Sequence, residues 1–109
     1  MTALNSLSPE LVDQLSKAMQ QIGRHSLAQQ LRRSTVARCT FSGRDLGYLY
    51  LVRESFNPQH ADRAPVRETI SFLKEHGLNV DLDYDGQLFG IEYLDRPDLS
   101  RILRAAYAP

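Results

Sequence analysis

Leu78-Asn79-Val80-Asp81-Leu82-Asp83-Tyr84-Asp85-Gly86-Gln87-Leu88-Phe89-Gly90-Ile91-Glu92-Tyr93-Leu94 is the stretch on which the fold turns. Its first half alternates apolar Leu78, Val80, Leu82 and Tyr84 with polar Asn79, Asp81, Asp83 and Asp85, the period-two pattern of a strand buried on one face. Asp85-Gly86 is a preferred pair for a two-residue type I′ turn, whose central residues both take positive φ. Such a turn sets a register: Tyr84 faces Gln87, Leu82 faces Phe89, Val80 faces Ile91 and Leu78 faces Tyr93. One face of the predicted hairpin then holds every large apolar residue except Leu88. The other holds Asp83 with Leu88, Asp81 with Gly90, and Asn79 with Glu92.

The same letters, Asp81-Leu82-Asp83-Tyr84-Asp85-Gly86 with Glu92 to follow, match the calcium loop of the EF-hand at each specified position. In such a loop, spaced carboxylates and one bidentate Glu supply hard oxygen ligands while Gly permits the sharp turn. The context opposes that reading. An EF-hand loop is entered directly from a helix, whereas Gly77 reads as a helix stop ahead of Asp81. The apolar alternation between the carboxylates also belongs to a strand and has no role in wrapping an ion. The expectation is a hairpin with no metal and no cofactor.

Working outward, Pro65 opens a segment in which Val66, Ile70 and Leu73 share one helical face. Lys74 and His76 fall in the last turn and Gly77 at C′, which predicts a helix over Pro65–His76. Before it, Ser55 to Ala64 is polar and predicts a loop. Gly47-Tyr48-Leu49-Tyr50-Leu51-Val52 is the strongest β-forming run and predicts a central strand. Thr35 to Phe41 alternates and predicts its partner across the turn at Ser42-Gly43-Arg44-Asp45. At the amino-terminal end, Ser8-Pro9-Glu10 reads as a cap, a first-turn Pro and an acid facing the helix dipole. Leu11, Leu15, Ala18, Met19 and Ile22 follow at helical spacing, and a second short helix follows Gly23. After the hairpin, Asp95-Arg96-Pro97-Asp98 caps a final helix carrying Leu99, Ile102, Leu103 and Ala106. The predicted class is α+β, in the order α-α-β-β-α-β-β-α, with an antiparallel sheet of about four strands built from two hairpins.

The chain of 109 residues, 42% hydrophobic, suits one core and predicts a single domain over 1–109. No apolar run approaches the ~20 residues of a bilayer span, and the first residues lack the order of a secretory signal. Cys39 is the one cysteine, so no internal disulfide forms, which fits a reducing compartment and a cytoplasmic location. The formal charge is zero, but residues 1–44 hold six basic and two acidic side chains while 45–109 hold seven and eleven. A zero net charge argues against nucleic-acid or membrane binding by field alone.

Catalytic apparatus is hard to assemble from these residues. His25, His60 and His76 fall in three separate predicted settings, with no spacing that puts two on one face. Cys39 sits on an alternating strand without a neighbouring His, as a small buried hydrophobe does. Paired catalytic carboxylates work in environments that push their pKa values apart, whereas Asp81, Asp83 and Glu92 are predicted to share a polar sheet face. There is no phosphate-cradling glycine loop or nucleophile elbow. Arg24, Arg32, Arg33 and Arg38 suit phosphate contacts but lack the aromatic platform of a single-strand binder. The chain reads as no enzyme, and its partner as a protein.

Val80 to Leu94 resembles the closing hairpin of a bacterial family of small domains with the signature V-D-L-D-x-D-G-x-hydrophobic-x-G-I-E-hydrophobic-L. The family's preceding strand, of D-A-L-Y-I type, is similar only loosely to Gly47-Tyr48-Leu49-Tyr50-Leu51. The predicted helix over 65–76 and the two helices at the front depart from its pattern. The resemblance implies the hairpin itself and an association with toxin–antitoxin gene neighbourhoods. Together with the carboxylates it points to an immunity protein or antitoxin-like inhibitor that covers the active site of a partner toxin, a nuclease for example. The contact residues on this reading are Asp81, Asp83, Asp85 and Glu92, with Tyr48 and Tyr50 as aromatic anchors. Alternatively, the order helix, strands, helix, strand pair, helix resembles that of small type III secretion chaperones, which implies a homodimer serving a secreted effector. An orphan regulatory domain is the third alternative.

Overall fold

A computed structural model of the chain describes residues 7–51 and 66–107. The loop predicted over 55–64, with His60, lies outside the described residues. The elements are helices α1 (Pro9–Gln21) and α2 (His25–Arg33), strands β1 (Val36–Gly43), β2 (Leu46–Leu51) and β3 (Glu68–Phe72), the single turn α3 (Leu73–His76), strands β4 (Leu78–Leu82) and β5 (Leu88–Tyr93), and helix α4 (Pro97–Tyr107). The class is α+β. The strands form one antiparallel sheet in the order β1-β2-β5-β4-β3, so β5 slots between the two halves of the chain and joins both hairpins.

The sheet has five strands where the sequence predicts four, because the described part of the segment predicted as helix over Pro65–His76 holds strand β3 followed by one helical turn. Val66, Ile70 and Leu73 do recur at helical spacing. However, Thr69-Ile70-Ser71-Phe72 also alternates, and its β-branched and aromatic side chains suit a pleated surface. The edge of β4 decides between the two periods. Ile70 pairs with Val80 and Phe72 with Leu78, which carries Phe72 into the core. The predicted stop at Gly77 is where the helical turn ends. Gly77 takes φ 65° after α3, and a side chain there would bring Cβ within 2.6 Å of the Leu94 carbonyl oxygen.

The hairpin's turn differs from the predicted one. Asp85 does not take positive φ, as a type I′ turn requires; Gly86 does, at 74°. Gly86 N–H donates to Asp83 O at 3.1 Å and Asp83 N–H to Gln87 O at 2.9 Å, so the loop has three residues, Tyr84-Asp85-Gly86, with Gly in the left-handed position. The Asp83 carboxylate selects this form: its Oδ1 accepts from the backbone N–H of Asp85 at 2.9 Å and of Gln87 at 3.0 Å. The added loop residue slips the register by one, so Leu82 faces Leu88 rather than Phe89. A bulge at Phe89 then restores the predicted pairs Asp81 with Gly90, Val80 with Ile91 and Leu78 with Tyr93. The prediction put Phe89 in the core and Leu88 and Asp83 on the polar face. In the structure Leu88 and Asp83 are buried and Phe89 is half-buried.

One face of the sheet meets the helices. Leu11, Leu15 and Met19 of α1, Leu27 and Leu31 of α2, and Leu99 and Leu103 of α4 join Leu49, Leu78, Val80, Leu82, Ile91 and Tyr93 in a single core. Each such side chain contributes about 1.5–3 kcal/mol by leaving water. At the start of α1, Ser8 occupies the cap position and Pro9 the first turn, but the Ser8 hydroxyl donates to the Glu10 carboxylate rather than accepting from the helix backbone. Polar ties align the layers. Leu88 N–H donates to Gln30 Oε1 at 3.2 Å, joining β5 to α2. Arg96 donates to Gln14 Oε1 at 3.2 Å and to the His76 carbonyl, and forms a fork with the Asp98 carboxylate at 2.9 and 2.8 Å.

Candidate functional site

The face of the sheet away from the core carries no described helix, and period-two alternation decides which side chains it shows. From β1 it receives Arg38 and Thr40, from β2 Tyr48 and Tyr50, from β5 Gly90 and Glu92, from β4 Asn79 and Asp81, and from β3 Thr69 and Ser71. The pairings place Tyr48 opposite both Thr40 and Glu92, and Tyr50 opposite Arg38 and Gly90.

Gly90 explains the shape of the center. A Cβ there would collide with the ring and hydroxyl of Tyr48, so the absence of a side chain lets Tyr48 lie flat across β5. Its hydroxyl reaches β4 and donates to Asp81 Oδ2 at 2.5 Å, while the Thr69 hydroxyl donates to Asp81 Oδ1 at 2.6 Å. Tyr48, Asp81 and Thr69 therefore link β2, β4 and β3 across β5. Next to them, Asn79 Nδ2 donates to Glu92 Oε1 at 3.0 Å.

The tyrosines are part of an aromatic row. The rings of Tyr48 and Tyr50 have centroids 4.7 Å apart, tilted by 51°, and Phe89 meets Tyr50 edge-on at 6.1 Å. The Arg38 guanidinium stacks over Tyr50 at 4.0 Å from its centroid. The bulge that moves Phe89 out of the core is what completes this row.

Four of the six residues singled out from the sequence thus share one surface: Tyr48, Tyr50, Asp81 and Glu92. Asp85 is exposed at the hairpin turn. Asp83 is not on this face; it is 3% exposed and its carboxylate organises the turn. Sequence reasoning missed Arg38, Thr69 and Phe89 as members of the surface, while Asn79 stands opposite Glu92 as the predicted register had it. For Arg38 the signal was present, since it alternates with Cys39 on β1, but only the strand order shows that it stands beside Tyr50.

Burial, foremost, and then the hydrogen bond to Asp81 push the Tyr48 phenol far above its ordinary range, reinforced by the negative charges of Asp81 and Glu92. Tyr48 therefore remains a fixed donor at physiological pH. Burial likewise raises the Cys39 thiol to about 11, against a pull downward from Arg104, which leaves little nucleophilic thiolate. Among the described residues no group of three or more His, Cys, Asp or Glu side chains is arranged to hold a metal ion, and no described helix is long and apolar enough to cross a membrane.

Comparison with known proteins adds no relative: the chain matches no protein-family model, no curated protein and no solved structure.

Proposed function

We propose that this protein is a small binding protein of the immunity or antitoxin kind, which neutralises a partner toxin by covering its active site, and that it binds through the open face of its sheet. The observation that carries this reading is the cluster in which Arg38, Tyr48 and Phe89 all meet Tyr50, held in place beside Asp81 and Glu92. Tyr and Arg concentrate binding energy at protein interfaces because they bury large area and still offer polar groups. Here the rings are already fixed by packing and by the Tyr48–Asp81 bond, which lowers the ordering cost of association. Asp81 and Glu92 supply the negative charge that steers a basic partner. With Asp83 committed to the turn, the acidic contribution is smaller than the sequence suggested.

The test is to recover the partner from the native lysate, measure its affinity and assay whether binding suppresses its activity. Tyr50→Ala is expected to weaken the complex by at least about thirtyfold, as loss of a 2 kcal/mol hot spot does. Glu92→Gln is expected to weaken it several-fold and flatten its salt dependence. Unchanged affinity in both variants would remove the open face from the reading.

A second reading is a homodimeric chaperone for a secreted effector, since strands, a short helix, a strand pair and a helix follow one another in the order that resembles such chaperones. Light scattering separates the two: a stable dimer that binds an unfolded segment supports the chaperone.

A further inference from the structure

On the helix-covered side of the sheet, the β1–β2 turn and α4 enclose a shallow depression of about 300 Å3 lined by Arg44, Asp45, Pro97, Ser100, Arg101 and Arg104. Three arginines on one small concavity repel one another, yet no carboxylate lies within ion-pair distance of any of them among the described residues. Asp45, the one acid in the lining, forms no ion pair with them. From this we infer that the depression is an anion site for a phosphoryl group, separate from the open face.

The scaffold is built before any ligand arrives. The Ser100 hydroxyl donates to the Arg44 carbonyl at 2.6 Å, and Arg104 Nη2 donates to the Gly43 carbonyl at 2.6 Å, so two bonds pin the turn to α4. Arg104 is further fixed by Nε donating to Ser100 Oγ at 3.2 Å and by stacking over Phe41 at 4.5 Å. Ser100 is 3% exposed and also accepts from the Tyr93 hydroxyl at 3.3 Å. Its one donor and two lone pairs are then all engaged, which makes it a structural post with nothing left for a ligand.

The guanidinium groups are the opposite case. Arg44 and Arg101 are exposed and make no side-chain hydrogen bond or ion pair among the described residues, and Arg104 keeps Nη1 unspent. Three cations against Asp45 leave an excess of positive charge that suits a phosphoryl dianion. The planar fork of each guanidinium also matches pairs of oxygens on a tetrahedral oxyanion. The site is open to solvent, so the phosphoryl group is either free or carried on a side chain of another polypeptide.

Titration of the full chain with inorganic phosphate, at constant ionic strength maintained with chloride and followed by amide chemical shifts, tests the site. Saturable shifts at Arg44, Ser100 and Arg101 with a Kd on the order of millimolar are expected. The double substitution Arg44→Ala with Arg101→Ala, both at exposed positions, should weaken binding at least tenfold. Arg101→Lys, which keeps the charge and loses the fork, should weaken it several-fold. Shifts that rise without saturation, or that saturate equally in the double variant, overturn the inference. A parallel titration with O-phosphoserine separates the sources: tighter binding than phosphate points to a phosphorylated chain, and equal binding to the free oxyanion. Because none of these residues lies on the open face, the outcome is independent of the partner-binding reading.

Discussion

On the covered side of the β2–β5 pair the ring of Tyr93 lies over Gly47, and on the open side the ring of Tyr48 lies over Gly90. Each strand gives a tyrosine to one face and a glycine to the other, so the two sides share one packing device. Their surroundings differ. Tyr93 is 0% exposed beneath the helices and its hydroxyl meets the neutral Ser100, whereas Tyr48 is half-buried and meets the carboxylate of Asp81. The inner ring is held by close packing on every side, and the outer ring by one strong hydrogen bond and its neighbouring aromatics. A ring held in the second way stays available to a partner.

The comparison predicts unequal costs. Tyr93→Ala should destabilise the protein by about 3–5 kcal/mol in urea unfolding, as loss of a buried aromatic does. Adding one methyl at Gly47 forces the buried Tyr93 ring to move, and Gly47→Ala should cost about 2–3 kcal/mol. Gly90→Ala meets a ring that can swing into solvent and should cost only about 1 kcal/mol, while breaking the Tyr48–Asp81 bond. Equal costs for the two glycine substitutions would show the open face to be locked as firmly as the core.

A smaller effect isolates the outer hydrogen bond. A phenol whose pKa is raised in the folded state stabilises that state fully below the ordinary phenol pKa of about 10, and the contribution fades as pH rises beyond it. Alkaline titration of the phenolate absorbance should therefore find Tyr48 ionising late, as the buried Tyr93 also does, and Asp81→Asn should bring Tyr48 alone earlier and reduce the alkaline loss of stability. No change on Asp81→Asn would mean that burial alone holds the proton.

The smallest effect lies at the joint between α3 and α4. The Arg96 fork holds the Asp98 carboxyl down at about 2 from its ordinary 3.8. A depressed acid stabilises the fold above its unfolded pKa, and this contribution disappears as pH falls from about 4 toward 2. Asp98 is half exposed, so solvent screens much of it. Urea midpoints should fall modestly over that interval in the parent protein and less in Arg96→Met. An equal fall in both would remove this pair from the acid response.

The class of the fold, four of the five strands and both hairpins were legible, because in each case local pattern and tertiary demand coincide. Val80 pairs with Ile91 and Leu78 with Tyr93 as the alternation required. At the turn the pattern misled by one residue, since Asp85-Gly86 suits a type I′ turn while the Asp83 carboxylate, by accepting two backbone N–H groups, favours a longer loop. That single choice exchanged Leu88 and Phe89 between core and open face. The candidate site was half legible: Tyr48, Tyr50, Asp81 and Glu92 were recognisable from their strand positions and Asn79 from the hairpin register, but Arg38 and Thr69 join them only through strands distant in sequence.

By itself the sequence determined the start of α1 at Pro9, the stop at Gly77 and the alternation of β1, β2 and β4, because these are local signals with local physical causes. Tertiary structure decided between two periods in residues 68–72, where an unpaired β4 edge offers hydrogen bonds that a helix cannot use. It also decided the strand order that brings β2 beside β5. From that neighbourhood follow the two tyrosine–glycine contacts, the hydroxyl that reaches Asp81 and the aromatic row, none of which any single stretch of the chain contains.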